Sequence, residues 1–168
     1  MADEKTMNDA DTGLPSLGEM LPPSRISLGV EVNDWRQAVV AAGELLVDTG
    51  IAEAGYIDAM IRISEELGPY IVIGPQIAMP HARPEDGALA TGLSLVKLST
   101  PVEFGHPDHD PVVLVFGLAA IDKKMHIAAL QTLAEMLSTK SLLKELMSAE
   151  TADDVYDVIQ KAEAQQDE

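Results

Sequence analysis

The run Val112-Val113-Leu114-Val115-Phe116-Gly117-Leu118-Ala119-Ala120-Ile121 contains no polar side chain, and it limits the folds open to this chain more than any other segment. It is too short for a membrane-spanning helix, which needs about 20 apolar residues. Val112 to Ala119 is apolar throughout and shows no alternation, so it reads as a central strand covered on both faces. Arg25 to Val30 alternates polar and apolar like a second strand, and Ala90 to Leu98 supplies a third. Helices are expected around them. Asn33 or Asp34 caps one that carries Ala38, Ala41, Leu45 and Leu46 at helical spacing and closes at Gly50. Another, about 54 to 67, bears Ile57, Met60, Ile61 and Leu67 and stops at Gly68-Pro69. Asp122 caps a third, through Leu137. Shorter helices are expected near 140–148 and 152–162, the latter with Thr151 and Asp154 in capping-box spacing.

These elements predict an α/β fold, a three-layer α/β/α sandwich with a central mixed β-sheet flanked by helices. A chain of 168 residues, 46% of them hydrophobic, suffices for one core, so residues 24–168 are read as a single domain. Residues 1–23 carry Asp3, Glu4, Asp9, Asp11 and Glu19 without apolar periodicity, and are expected to be a disordered acidic lead.

With no cysteine in the chain, disulfides, thiolate zinc sites and cysteine nucleophiles are excluded. The formal charge of -17 repels nucleic-acid phosphates and anionic lipid, and no Lys/Arg cluster offsets it, so no nucleic-acid partner is expected. The acidic N-terminus does not resemble a secretion signal. A soluble, cytoplasmic protein follows as the expectation, and its acidity favours protein partners with basic faces.

The segment from Gly68 to Gly87 delivers His81 into a turn dense in Pro and Gly. Pro80 and Pro84 restrict the backbone on either side, Gly74 and Gly87 permit sharp reversals, and short strands are expected to bracket the turn. An imidazole with a pKa near about 6.5 is mostly the free base at neutral pH and can attack phosphorus or carbon unaided. The alternative is a surface histidine that merely caps a turn. Arg83, two residues on, suits bidentate phosphate contacts, or equally a salt bridge to Glu85 or Asp86.

His126 shares a helical stripe with Ala129, Leu130, Leu133 and Leu137, which turns it toward the core or a pocket at its edge. The residues alone favour a buried histidine bonded to a backbone carbonyl. The first-turn amides after Asp122, with Lys123 and Lys124, would also suit a phosphate. His106, Asp108 and His109 have metal-ligand chemistry, but their proline-interrupted loop favours a solvated segment, and no chemistry is assigned there.

In order along the chain, Asp34-Trp35-Arg36-Gln37-Ala38-Val39, Gly68-Pro69-Tyr70, Ala78-Met79-Pro80-His81, Arg83-Pro84-Glu85, Thr91-Gly92, Pro101-Val102-Glu103-Phe104 and the Asp122 to His126 helix start resemble a known pattern. It is that of the enzyme IIA components of the bacterial phosphoenolpyruvate-dependent sugar phosphotransferase system, in the mannitol/fructose structural class and nearest its ascorbate-type branch.

The resemblance implies that His81 carries a phosphoryl group, taken from the histidine-containing phosphocarrier protein and passed to a cysteine of the enzyme IIB component. The membrane permease IIC would be an indirect partner, with ascorbate or a related sugar acid or pentitol as its cargo. His126 becomes the second active-site histidine, with neither metal nor organic cofactor; Arg83, read from its place beside His81, joins the two as the third candidate site residue, suited to charge developing in a transition state. Mannitol-type members carry an arginine in the helix before the histidine strand; Arg62 is the nearest candidate here, at a different spacing. A regulatory protein signalling by phosphorylation state is the alternative within the same class, and a hydrolase or metal protein using the His106 loop is the alternative outside it.

Overall fold

The computed structural model describes residues 13–166. The main elements, in chain order, are α1 (Leu17–Met20), β1 (Ile26–Val30), α2 (Trp35–Asp48), α3 (Gly55–Leu67), β2 (Val72–Gly74), β3 (Ile77–Ala78), β4 (Gly92–Val102), β5 (Val112–Ala119), α4 (Lys123–Leu137), α5 (Lys140–Ser148) and α6 (Ala152–Gln166). Single 3-10 turns cover Pro23–Arg25, Gly68–Ile71 and Pro84–Asp86.

The strands form one mixed sheet in the order β1-β4-β5-β3-β2. β1 runs parallel to β4, and β3 parallel to β5. The pairs β4–β5 and β2–β3 are antiparallel. The apolar run lies where its composition demands, with β5 between β4 and β3. Its residues alternate between two cores. Leu114, Phe116 and Leu118 join the core beneath α1, α4, α5 and α6, while Val115 and Ala119 join the one beneath α2 and α3. Each large side chain fully buried in this way contributes roughly 1.5–3 kcal/mol. Ser94 and Gly117 let α2 approach closely. Ser94 Oγ donates to Ala42 O at 2.7 Å, and a Cβ on Gly117 would fall 2.4 Å from Ser94 Oγ.

The caps follow the sequence. Asp34 accepts from Gln37 N, Asp122 accepts from Met125 N, and Thr151 Oγ1 accepts from Asp154 N while the Asp154 carboxylate takes Thr151 N in return. Two expectations need correction. The second half of the supposed N-terminal lead is folded. Ser16 and Glu19 form a capping box that opens α1, and Leu17, Met20 and Leu21 are fully buried against the α6 side of the sheet. Residues 1–12 lie outside the described residues. The two short strands also both precede His81 instead of bracketing it. They form a hairpin about Pro75-Gln76, and the positive φ of that reversal, 67°, falls on Gln76 and not on Gly74. Gln76 tolerates this because its own backbone is pinned. Its N–H donates to His109 O, and its carbonyl accepts from Val113 N and Leu114 N.

Candidate functional site

His81 follows directly from the sheet. The parallel pairing of Ile77 and Ala78 with Leu114 and Val115 is continued after Pro80 by a bridge between His81 and Leu118. Tyr56, fully buried on α3, locks that junction. Its hydroxyl lies 2.8 Å from Leu118 O, to which it donates, and accepts from Ala82 N at 3.2 Å. Burial pushes the phenol pKa up to about 12, with the charge of Asp86 adding to the effect. The hydroxyl therefore keeps its proton at any physiological pH.

The ring of His81 is oriented by its own backbone. Nδ1 lies 2.9 Å from Met79 O. A carbonyl only accepts, so Nδ1 bears the proton and Nε2 retains its lone pair. Met79 is itself held, its N–H donating to Ile71 O at 2.9 Å. Burial lowers the pKa of His81, partly offset by the bond to Met79. The result is a fixed, neutral imidazole with one nitrogen available as a nucleophile.

His126 stands against it. Asp122 starts α4 so that His126 falls one turn in, and the two rings meet edge to face with centroids 5.2 Å apart. Burial first, and then the proximity of His81, lowers the pKa of His126. Its Nδ1 is buried with no hydrogen-bond partner. An unmet acceptor costs less than an unmet N–H, which places the ring proton on Nε2. The sequence expectation of a backbone-bonded core histidine is thus corrected. The helical stripe does turn His126 inward, but onto His81 and not onto a carbonyl.

Arg83 is paired with Asp86 through Nε at 3.2 Å and Nη2 at 3.3 Å, and its backbone N–H reaches the same carboxylate at 3.0 Å. Arg62 of α3 joins that carboxylate at 3.5 Å. The hydrogen bond from Arg83 chiefly holds the Asp86 carboxyl below the usual carboxylate range. Spacing alone did not reveal Asp86 as the meeting point, because Arg62 comes from another element. Exposed apolar side chains surround this end of the sheet: Leu89 before β4, and Ile121 and Ile127 about the start of α4. Ile121 N donates to Thr91 Oγ1, which ties the two segments together.

The His106 loop stands apart from these residues. His106 Nδ1 accepts from Asp108 N and His109 N, the rings of His106 and His109 stack at 4.4 Å, and Asp110 takes the amides of Phe104, Gly105 and His106. These bonds use the loop's polar groups to hold its own turn. Among the described residues, no group of three His, Asp or Glu side chains is arranged to hold a metal ion.

A mixed five-stranded sheet, helices on both faces, and two facing histidines at the end of its parallel β3–β5 pair define an α/β protein built around a histidine pair. Residues 19–162 match the family model for the phosphoenolpyruvate-dependent sugar phosphotransferase system, EIIA 2, and the chain belongs to that family. It is 38% identical over 140 residues to the ascorbate-specific PTS system EIIA component of Salmonella choleraesuis (strain SC-B67), covering 83% of this chain and 91% of that protein. The solution structure of the mannitol-specific cryptic phosphotransferase enzyme IIA of Escherichia coli superposes with a TM-score of 0.78 at 37% identity, over 88% of this chain and 99% of the other. The IIA chain in a complex of mannitol enzyme IIA with phosphorylated enzyme IIB, also from Escherichia coli, superposes with a TM-score of 0.72 at 30% identity, over 82% and 95% of the two chains. Among the described residues, no helix is long and apolar enough to cross a membrane.

Proposed function

We propose that this protein is a cytoplasmic phosphoryl carrier. It takes a phosphoryl group onto Nε2 of His81 from the histidine-containing phosphocarrier protein and passes it to a cysteine thiolate of an ascorbate-type or related enzyme IIB component. The observation that carries the reading is the bond from Nδ1 of His81 to Met79 O. It leaves Nε2 as the free nucleophile and fixes its direction before any donor arrives.

In loading, the Nε2 lone pair attacks phosphorus. The new N–P bond forms as the donor's P–N bond breaks, and the donor ring keeps that electron pair. Nδ1 keeps its proton, donated to the Met79 carbonyl, throughout. In the second half, the thiolate attacks phosphorus, the P–Nε2 bond breaks, and His81 leaves as the neutral ring it was. His126, with its proton on Nε2, donates to a phosphoryl oxygen, and Arg83 offers further donors as charge develops. Leu89, Ile121 and Ile127 supply the apolar contact for partners, both of which must reach the same nitrogen and so use overlapping surfaces. The similarity to ascorbate-specific relatives supports the cargo class, and the superposition on a IIA chain seen with phosphorylated IIB supports the acceptor.

The test is intact mass after incubation with phosphoenolpyruvate, enzyme I and the phosphocarrier protein. One acid-labile phosphoryl adduct is expected on the wild type and none on His81→Ala. An adduct that persists on His81→Ala, or none on either protein with charged donors, would overturn the assignment.

A further inference from the structure

Asp86 is the carboxylate on which both Arg62 and Arg83 converge, and the three partners are unequally exposed. The Asp86 side chain is 12% exposed, against 53% for Arg62 and 60% for Arg83. The anion is thus fixed inside the loop by the Arg83 N–H, while the guanidinium groups extend outward with donors to spare. Arg83 also shares a face with His81. His81 is bridged to Leu118, Arg83 is extended at φ -83° and ψ 155°, and buried Ala82 points inward between them. Side chains two apart on extended backbone lie on one side, with Cα atoms about 7 Å apart, within reach of an arginine.

We propose that Asp86 is a positioning residue that occupies Arg83 and Arg62 in the resting protein and yields Arg83 to the phosphoryl group once Nε2 of His81 is loaded. The inference rests on the phosphoryl-carrier reading above and assigns its resting state. The guanidinium ends of both pairs are more than half exposed, so water compensates much of what a guanidinium loses on leaving the carboxylate. A phosphohistidine presents three acceptor oxygens and more negative charge than one carboxylate, so exchange favours the loaded form. The exchange leaves the loop intact, because the backbone N–H of Arg83 stays on Asp86. In the resting protein the carboxylate screens Arg83, the cation on the His81 face, and free anions gain little by settling beside the nucleophile.

The experiment loads wild type and Asp86→Asn chemically with phosphoramidate, so that no partner protein is required, in the presence of increasing sulfate. Sulfate is expected to slow loading of Asp86→Asn at several-fold lower concentration than wild type. Adding Arg83→Ala to Asp86→Asn should remove that sensitivity. Equal sulfate sensitivity in wild type and Asp86→Asn, or heightened sensitivity that survives Arg83→Ala, would overturn the proposal. Wild type alone provides a second readout that no folding defect can spoil: the Arg83 Nε–Hε resonance must shift on loading, and an unmoved signal would equally overturn it. Folded wild type that takes no phosphoryl group on His81 would instead remove the carrier reading, and this inference with it.

Discussion

The imidazole of His126 meets that of His81 at 64° with 5.2 Å between ring centroids, and the two rings are in complementary protonation states. His81 has its proton on Nδ1, toward Met79 O, and His126 has its proton on Nε2, because its Nδ1 is buried without a partner. One ring offers a lone pair and the other a donor. Their roles are therefore separable by mutation. His81→Ala should abolish the phospho-form. His126→Ala should still load, but pass the group on about 100-fold more slowly, the scale expected for removing one donor to developing charge. Single-turnover transfer to enzyme IIB measures this, and equal rates for His126→Ala and wild type in both half-reactions would remove the role assigned to His126.

Acid should weaken the fold through the same pair. An unfolded histidine titrates near about 6.5. Both rings lie below that in the native protein, His81 through burial and His126 through burial and then the proximity of His81. Between the lowered values and about 6.5 the unfolded chain binds more protons than the native one, so stability there rises with pH. This contribution is complete above about 6.5, declines as pH falls through the window, and levels off below the native values. Urea denaturation across that range should show wild type losing more stability than the His81→Ala/His126→Ala double variant. The acid limb of His81 loading should likewise lie below that of an ordinary histidine, as ring-proton NMR titration will read directly.

Much of this was legible beforehand, for local reasons. The position of β5 follows from its unbroken apolar run. The caps at Asp34, Asp122 and Thr151 follow from side chains that bond within three residues. The placement of His81 follows from flanking prolines. The folded turn at Leu17–Met20 was missed although its signal was present: Ser16 and Glu19 have capping-box spacing, and Leu17, Met20 and Leu21 are its apolar payload. The acidic composition before them obscured it. Asp86 was legible as a local partner of Arg83, three residues on, but the share Arg62 takes in it and the bonds of Tyr56 were not, since these join elements distant in sequence. No local pattern reveals that α3 sends Arg62 to one end of the His81 loop and Tyr56 to the other.

Tyr56→Phe should uncouple the backbone at His81 from the sheet. The hydroxyl serves Leu118 O and Ala82 N, both inside the fold, and a phenyl ring of the same shape serves neither. Leaving buried polar groups unmet costs about 1–3 kcal/mol. Urea midpoints should fall accordingly at unchanged slope, and phosphoryl loading of His81 should slow because its backbone is less constrained. Undiminished stability would mean that the Leu118 carbonyl and the Ala82 amide find other partners.

Lys97 sits on β4 at a position whose neighbours in the alternation, Leu93 and Leu95, face the core beneath α4 to α6. A lysine there looks like an error of patterning until its partners are traced. Its ammonium donates to Leu146 O at 3.2 Å, to Ala149 O at 2.9 Å, and to Met147 O. These carbonyls lie at the C-terminal end of α5, where Leu146 O also takes Ala149 N at 3.3 Å, so the lysine closes the helix from the sheet. Burial lowers its pKa, opposed by Glu150. Methionine would match the stem in length and apolar character but take the ammonium donor from Met147 O and Ala149 O. Lys97→Met should therefore destabilise the protein by about 1.5–3 kcal/mol, the range for hydrogen bonds to a charged group. Amide exchange should accelerate most in α5 and the start of α6, while His81 and its loop, bound to β5 and α3, keep their protection and their rate of loading. Uniform acceleration across the sheet would instead mean that Lys97 supports the whole fold and not the end of one helix.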